Sequence, residues 1–201
     1  MSETQAEEGG GRVLSCLAEG GLPEAVARAD RLFFHAALYS NFARDKAMTD
    51  ALEMALSRPG FDRLDVVSLD PLAREPYWDE FREVLRRGMP ASTMHREFAV
   101  STGFLDALAS RHPTKIRRYA TSTLPLAPIL LVGDRIYAGH YLHSPVPAPL
   151  GLWLCLPADV PDLLELAETG ANPDTLAPET LGAYRLVCEC VAAKNGARQL
   201  A

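Results

Sequence analysis

Five histidines, His35, His95, His112, His140 and His143, are the side chains of this chain suited to moving protons near neutral pH. His140 and His143 lie close together in GHYLHS (139–144), where Ser144 follows His143 directly. A serine beside a histidine can serve nucleophilic catalysis, the imidazole taking the hydroxyl proton as the oxygen attacks. The surrounding pattern argues against it. The nucleophile elbow GxSxG is missing, and no glycine-lined oxyanion pocket accompanies the pair. On a continuing strand His140 and His143 would face opposite sides, so a turn is needed to bring them together. Zinc would want a third and a fourth ligand, and no HExxH, CxxC or His-x-His pattern supplies them, so no metal and no cofactor is expected. Phosphate cradles are equally illegible: Gly9-Gly10-Gly11 leads into no strand-to-helix step with a Walker lysine, and no GxGxxG follows a strand.

His35 stands inside the apolar run RLFFHAALYS (31–40), where a satisfied core histidine is the plain reading. Side chains near the carboxyl ends of strands, however, line the crevice that ligands use in α/β sheets. Residues 82–118 are basic within an acidic protein, and Arg117 and Arg118 are the candidates there for holding an anionic group. A solvated helix face explains the same charges. Cys16, Cys155, Cys188 and Cys190 have no metal-ligand spacing and are too sparse for a disulfide framework. Cys188 and Cys190, two apart on a helix, point to nearly opposite sides.

The elements that position these side chains follow from hydrophobic periodicity. Residues 12–30 carry a helical pattern broken at Gly20-Gly21-Leu22-Pro23, which predicts two short helices. The run 31–40 suits a strand buried on both faces, 44–57 a helix stopped by Arg58-Pro59-Gly60, and LDVVSL (64–69) a second buried strand. Strand, helix, strand implies a right-handed parallel crossover. Helices at 76–87 and about 92–110 supply cover. After His112-Pro113 the chain turns to strands at 116–121, 128–133, 135–141 and 151–156, with Gly133-Asp134 closing an antiparallel hairpin. Helices near 160–168 and 178–194 complete the chain. The predicted class is α/β: a mixed, mostly parallel sheet with an antiparallel hairpin and helices on both faces.

With 201 residues, 48% of them hydrophobic, the chain is long enough for one sizeable core, expected over 12–201. The opening MSETQAEEGGG (1–11) is acidic and glycine-rich without an apolar h-region, and reads as a disordered tail. No apolar run approaches the ~20 residues that span a bilayer, so a cytoplasmic protein without membrane contact is expected. A formal charge of −6 repels polyanions at long range, which predicts no binding to nucleic acid.

The order of elements resembles half of a phospholipase D-type domain. Residues 31–69 are similar to that family's opening strand, helix and strand. PLAPILLVGDRIYAGHY (125–141) is similar to its later segment, and with GLWLCLP the resemblance spans about 31–157. Matching the turn at Gly133-Asp134 to the family's turn places its catalytic histidine on Leu126 and its lysine on Pro128, with Gly139-His140 where Gly-Ser would stand. Leucine cannot form a phosphohistidine and proline offers no cation. The resemblance therefore implies a degenerate scaffold without the phosphodiesterase site. Because a family site combines two halves, it also implies a homodimer.

The expected function is a non-catalytic cytoplasmic module that binds a small, in one version anionic, ligand or a protein partner, with His35, His140, Arg117 and Arg118 at the ligand. The alternative is a small hydrolase or phosphodiesterase-type enzyme using His140 or His143, with Ser144 and His35. That reading requires at least two of the three histidines to converge on a common point. A third reading makes YWDEF (77–81) the oligomer interface of a structural subunit.

Overall fold

A computed structural model describes residues 10–70, 72, 83, 88–140, 146–170 and 172–200. The predicted tail up to residue 9, the predicted helix at 76–87 except for residue 83, with its YWDEF, and Tyr141, His143 and Ser144 lie outside the described residues.

The centre is the predicted crossover. Leu32, Phe33 and Phe34 are all buried in β2 (Arg31–His35), as expected of a strand covered on both faces. The following helix α3 (Lys46–Ser57) is capped by Asp45, whose side chain accepts from the Met48 N–H, and it buries the stripe Met48, Ala51, Leu52, Ala55 and Leu56. It delivers the chain to β3 (Arg63–Leu69), parallel to β2 with Leu32 opposite Leu64. Helix α4 (Ala91–Arg111) then leads to β4 (Ile116–Thr121), parallel to β3. Gly133, at φ +54°, turns β5 (Ile129–Val132) into β6 (Arg135–Gly139), the predicted hairpin. The chain continues through β7 (Trp153–Pro157), α5 (Val160–Thr169), α6 (Pro178–Asn195) and β8 (Arg198–Leu200).

Two expectations are corrected. Residues 12–14 form β1 (Arg12–Leu14), paired with β7, and the only α-helix before β2 among the described residues is α1 (Leu22–Arg28), preceded by a 3-10 turn. The run 31–40 stops being a strand at His35 and turns into a short helix α2 (Ser40–Arg44). The single sheet has the order β1-β7-β6-β5-β2-β3-β4-β8. It is mixed, as expected, with its parallel part confined to β2, β3 and β4, the remaining neighbours pairing antiparallel. The balance shifts because the two-residue turn at Gly133-Asp134 can join only antiparallel strands, and β7 continues that meander.

Helices α1, α3 and α4 cover one face of the sheet, over Leu32, Phe34, Leu64, Val66 and Leu130. Helices α5 and α6 cover the other, over Phe33, Val67, Ile129, Leu131 and Ile136. No described helix is long and apolar enough to cross a membrane.

Candidate functional site

Because β2, β3 and β4 run parallel, their carboxyl ends share one edge, and there the second face opens into a cavity of about 350 Å³. His35 from β2, Thr121 from β4, Thr123, Leu124 and Leu126 from the following loop, and Glu189 from α6 line it. The local sequence places His35 there. It is the last residue of an in-register strand, and alternation puts it on the same face as Phe33.

His35 is 4% exposed, and its Nδ1 is buried without a hydrogen-bond partner among the described residues. Burial pushes its pKa down to about 4. The ring is therefore neutral at pH 7, offering one N–H donor and one acceptor. Thr121 is buried and its hydroxyl oxygen accepts from the Thr123 N–H at 3.0 Å. Glu189 stands at the rim, where desolvation raises its carboxyl pKa. No Lys or Arg lines this cavity among the described residues.

The predicted ligand set does not converge. The register steps from His35 to Ile129 and on to Ala138, so His140 lies two strands away, about 10 Å, and farther along the chain. It is exposed, with its backbone N–H donating to the Leu152 carbonyl at 3.0 Å, and does not line the His35 cavity. Arg117 and Arg118, adjacent on β4, point to opposite faces: Arg117 is exposed, while Arg118 pairs with Asp106 of α4 and lines cavities on the first face. Among the described residues no group of three or more His, Cys, Asp or Glu is placed to hold a metal ion. The four cysteines are free, and burial raises the pKa of Cys155 and Cys190, which keeps these two as thiols.

Thr121, Thr123 and Glu189 carried no sequence signal, because only tertiary folding brings them to His35. Asp65 did carry one, a lone carboxylate inside LDVVSL. It is 1% exposed and lies at the opposite, amino-terminal edge of β2 and β3. Arg63 Nε donates to its Oδ2 at 2.9 Å and Arg31 Nη2 approaches at 3.8 Å. Glu168 at the end of α5 meets both Arg31 and Lys194 of α6. This cluster clamps the α5–α6 layer to the sheet.

Fold and cavity together define a mixed α/β sheet protein with a small pocket at the carboxyl edge of its parallel strands. No protein-family model matches the chain, and no curated protein matches it. Among solved structures it is similar to TrmBL2, described as an archaeal chromatin protein that shows a novel mode of DNA binding. The TM-score is 0.39 and the identity 8%, over 83% of this chain and 52% of that one. This chain thus spans about half the length of that neighbour. The expectation that the chain binds no nucleic acid, set beside this neighbour, is withdrawn, because it rested on net charge alone. Net charge sets the far field, whereas contact with phosphate depends on where a few basic side chains lie. A likeness at this TM-score carries no argument that this chain binds DNA.

Proposed function

We propose that this chain is a non-catalytic module that binds a small ligand in the His35 cavity. The observation that carries the reading is the neutral, buried His35 whose Nδ1 lacks a partner among the described residues, at the wall of an open cavity. An unsatisfied buried polar atom costs about 1–3 kcal/mol, which a ligand with a complementary group recovers. The volume falls in the range of small-molecule sites. With Glu189 at the rim and no Lys or Arg in the lining among the described residues, an uncharged or cationic ligand fits better than the anionic one expected from Arg117 and Arg118.

The phospholipase D-type reading is kept as part of this proposal. The β2–α3–β3 crossover and the β5–β6 hairpin beside it support it. Leu126, matched to that family's catalytic histidine, lies at the cavity rim and gives an apolar wall. Four free thiols fit a reducing compartment such as the cytoplasm.

The test follows the ¹⁵N signals of the His35 ring and the Thr121 amide against a fragment set of uncharged amides, amines and carboxylates. Saturable shifts from amides or amines, lost in His35→Phe, are expected. A set in which only carboxylates bind, or nothing does, overturns the reading. The enzyme alternative is tested with bis(p-nitrophenyl) phosphate and p-nitrophenyl acetate. Turnover lost in His35→Ala or His140→Ala would restore it, and equal background turnover supports the non-catalytic module.

A second reading, a protein partner in the form of a second copy, is favoured by one surface. Beyond the reach of α5 and α6, the register aligns Ala138, Leu154 and Val13 across β6, β7 and β1, with Leu154 40% and Val13 72% exposed and Leu152 beside them at 53%. Sedimentation at micromolar concentration distinguishes the two cases: a dimer that Leu154→Lys dissociates supports this reading, and a monomer removes it.

A further inference from the structure

A separate cavity of about 520 Å³ opens on the first face, between the 3-10 turn Leu17–Gly20, the start of α1, the corner joining α2 to α3, and the loop at 147–150. Its floor is apolar. Leu17, Leu22 and Met48 are 6%, 2% and 1% exposed, each already packed into the core. The half-buried Phe42 lines it as well, and its ring also meets Phe34 edge-on at 5.8 Å and Tyr39 at 5.9 Å.

The wall carries charge of one sign. Glu24 and Asp45, both exposed, line the cavity from different elements, and no Lys, Arg or His does so among the described residues. Glu24 has no hydrogen-bond or ion-pair partner among the described residues. Asp45 spends one oxygen capping α3, where it accepts from the Met48 N–H at 3.2 Å. Each carboxylate stands at a helix start, whose dipole is worth about half a positive charge, so both sites remain net negative. An apolar floor of this volume, with two carboxylates and an aromatic ring in its lining, complements one kind of molecule.

We infer that this cavity binds a small amphipathic organic cation, its hydrocarbon part on Leu17, Leu22 and Met48 and its ammonium group between Glu24, Asp45 and the ring of Phe42. The site lies on the opposite face of the sheet from His35 and does not depend on the reading of that cavity.

The full chain, labelled at the Met and Leu methyls, is titrated with three soluble probes of one shape: phenethylammonium, 2-phenylethanol and 3-phenylpropionate. Phenethylammonium is expected to shift the Met48 methyl saturably and to bind at least about fivefold more tightly than the alcohol, the carboxylate showing no saturation. In Glu24→Gln and in Asp45→Asn, the latter chosen because Asn still caps a helix, ammonium binding weakens about fivefold each while the alcohol is unaffected. Equal binding of ammonium and alcohol, preference for the carboxylate, or no saturable shift overturns the inference. The comparison of probes on the unmodified protein decides the matter even if a variant fails to fold.

Discussion

His35 is held neutral by burial, and its protonation is therefore coupled to folding. In the unfolded chain the imidazole titrates at its ordinary 6.5, in the folded protein at about 4. Between those values the unfolded state carries the extra proton, so stability is complete above 6.5 and is lost as the pH falls toward 4. The full loss is on the order of 3 kcal/mol. Urea unfolding of the wild type and His35→Leu at pH 7 and pH 4.5 should show the variant losing less stability on acidification. An identical acid loss in both would mean that His35 titrates like an exposed histidine. Tyr137 offers a neutral counterpart. It is fully buried, burial pushes its pKa up to about 12, and its hydroxyl donates to the Gly20 carbonyl at 2.8 Å. Gly20 must stay small, since a Cβ there would sit 2.7 Å from the Tyr137 ring. Tyr137→Phe leaves that carbonyl without its donor and should cost about 1–2 kcal/mol, read as a lower urea midpoint with an unchanged slope.

The clamp around Asp65 shows what one strand can ask of two helices. Asp65 faces the α5–α6 layer with a single bonded oxygen, and Arg31 and Arg63 are oriented by its charge. Burial alone would raise the Glu168 pKa, yet Lys194, Arg31 and Arg63 together hold it below its ordinary value. Removing the central charge takes from Arg63 its hydrogen-bonded carboxylate and leaves Arg31 with Glu168 alone at a partly dry interface, so Asp65→Asn should cost about 3–5 kcal/mol. Lys194→Met, which breaks the pair with Glu168, the more exposed carboxylate of the cluster, should cost about 1 kcal/mol or less. Comparable losses in both variants would show that Asp65 is not the keystone. The same segments explain what the chain disclosed in advance. Apolar runs and a capped stripe made β2, α3 and β3 legible, and a histidine inside such a run marked His35. The run 31–40 overran its strand because burial continues past it: Tyr39 is packed under α4, its N–H donating to Ser101 Oγ at 2.9 Å and its hydroxyl to the Val67 carbonyl at 2.8 Å. Three-residue strands such as β1 and β8 have no periodicity to read, because an edge strand is defined by the neighbour it pairs with. Glu189 and Thr121 stayed hidden for a related reason. Nothing near them in sequence announces the histidine they face.

Sheet order makes the molecule's stability uneven. β5, β2 and β3 lie in the interior of the sheet with side chains packed on both faces, whereas β1 and β8 are short and, among the described residues, paired on one side only. Amides in the interior should open only with global unfolding, those at the edges by local fraying. Hydrogen exchange followed by NMR should therefore find Phe33, Phe34, Val66 and Leu131 among the slowest and the residues of β1 and β8 exchanging orders of magnitude faster. The β1 edge carries the larger meaning, because its face displays Val13 beside Leu154 and no strand among the described residues pairs with its outer side. If a second copy docks there, β1 gains protection approaching that of β7 as protein concentration rises, and loses it on dilution. Fast exchange in β1 at every concentration would leave the row of Ala138, Leu154 and Val13 facing solvent. The small-ligand reading would then be the one to pursue, with slower exchange at His35 and Thr121 as the mark of an occupied cavity.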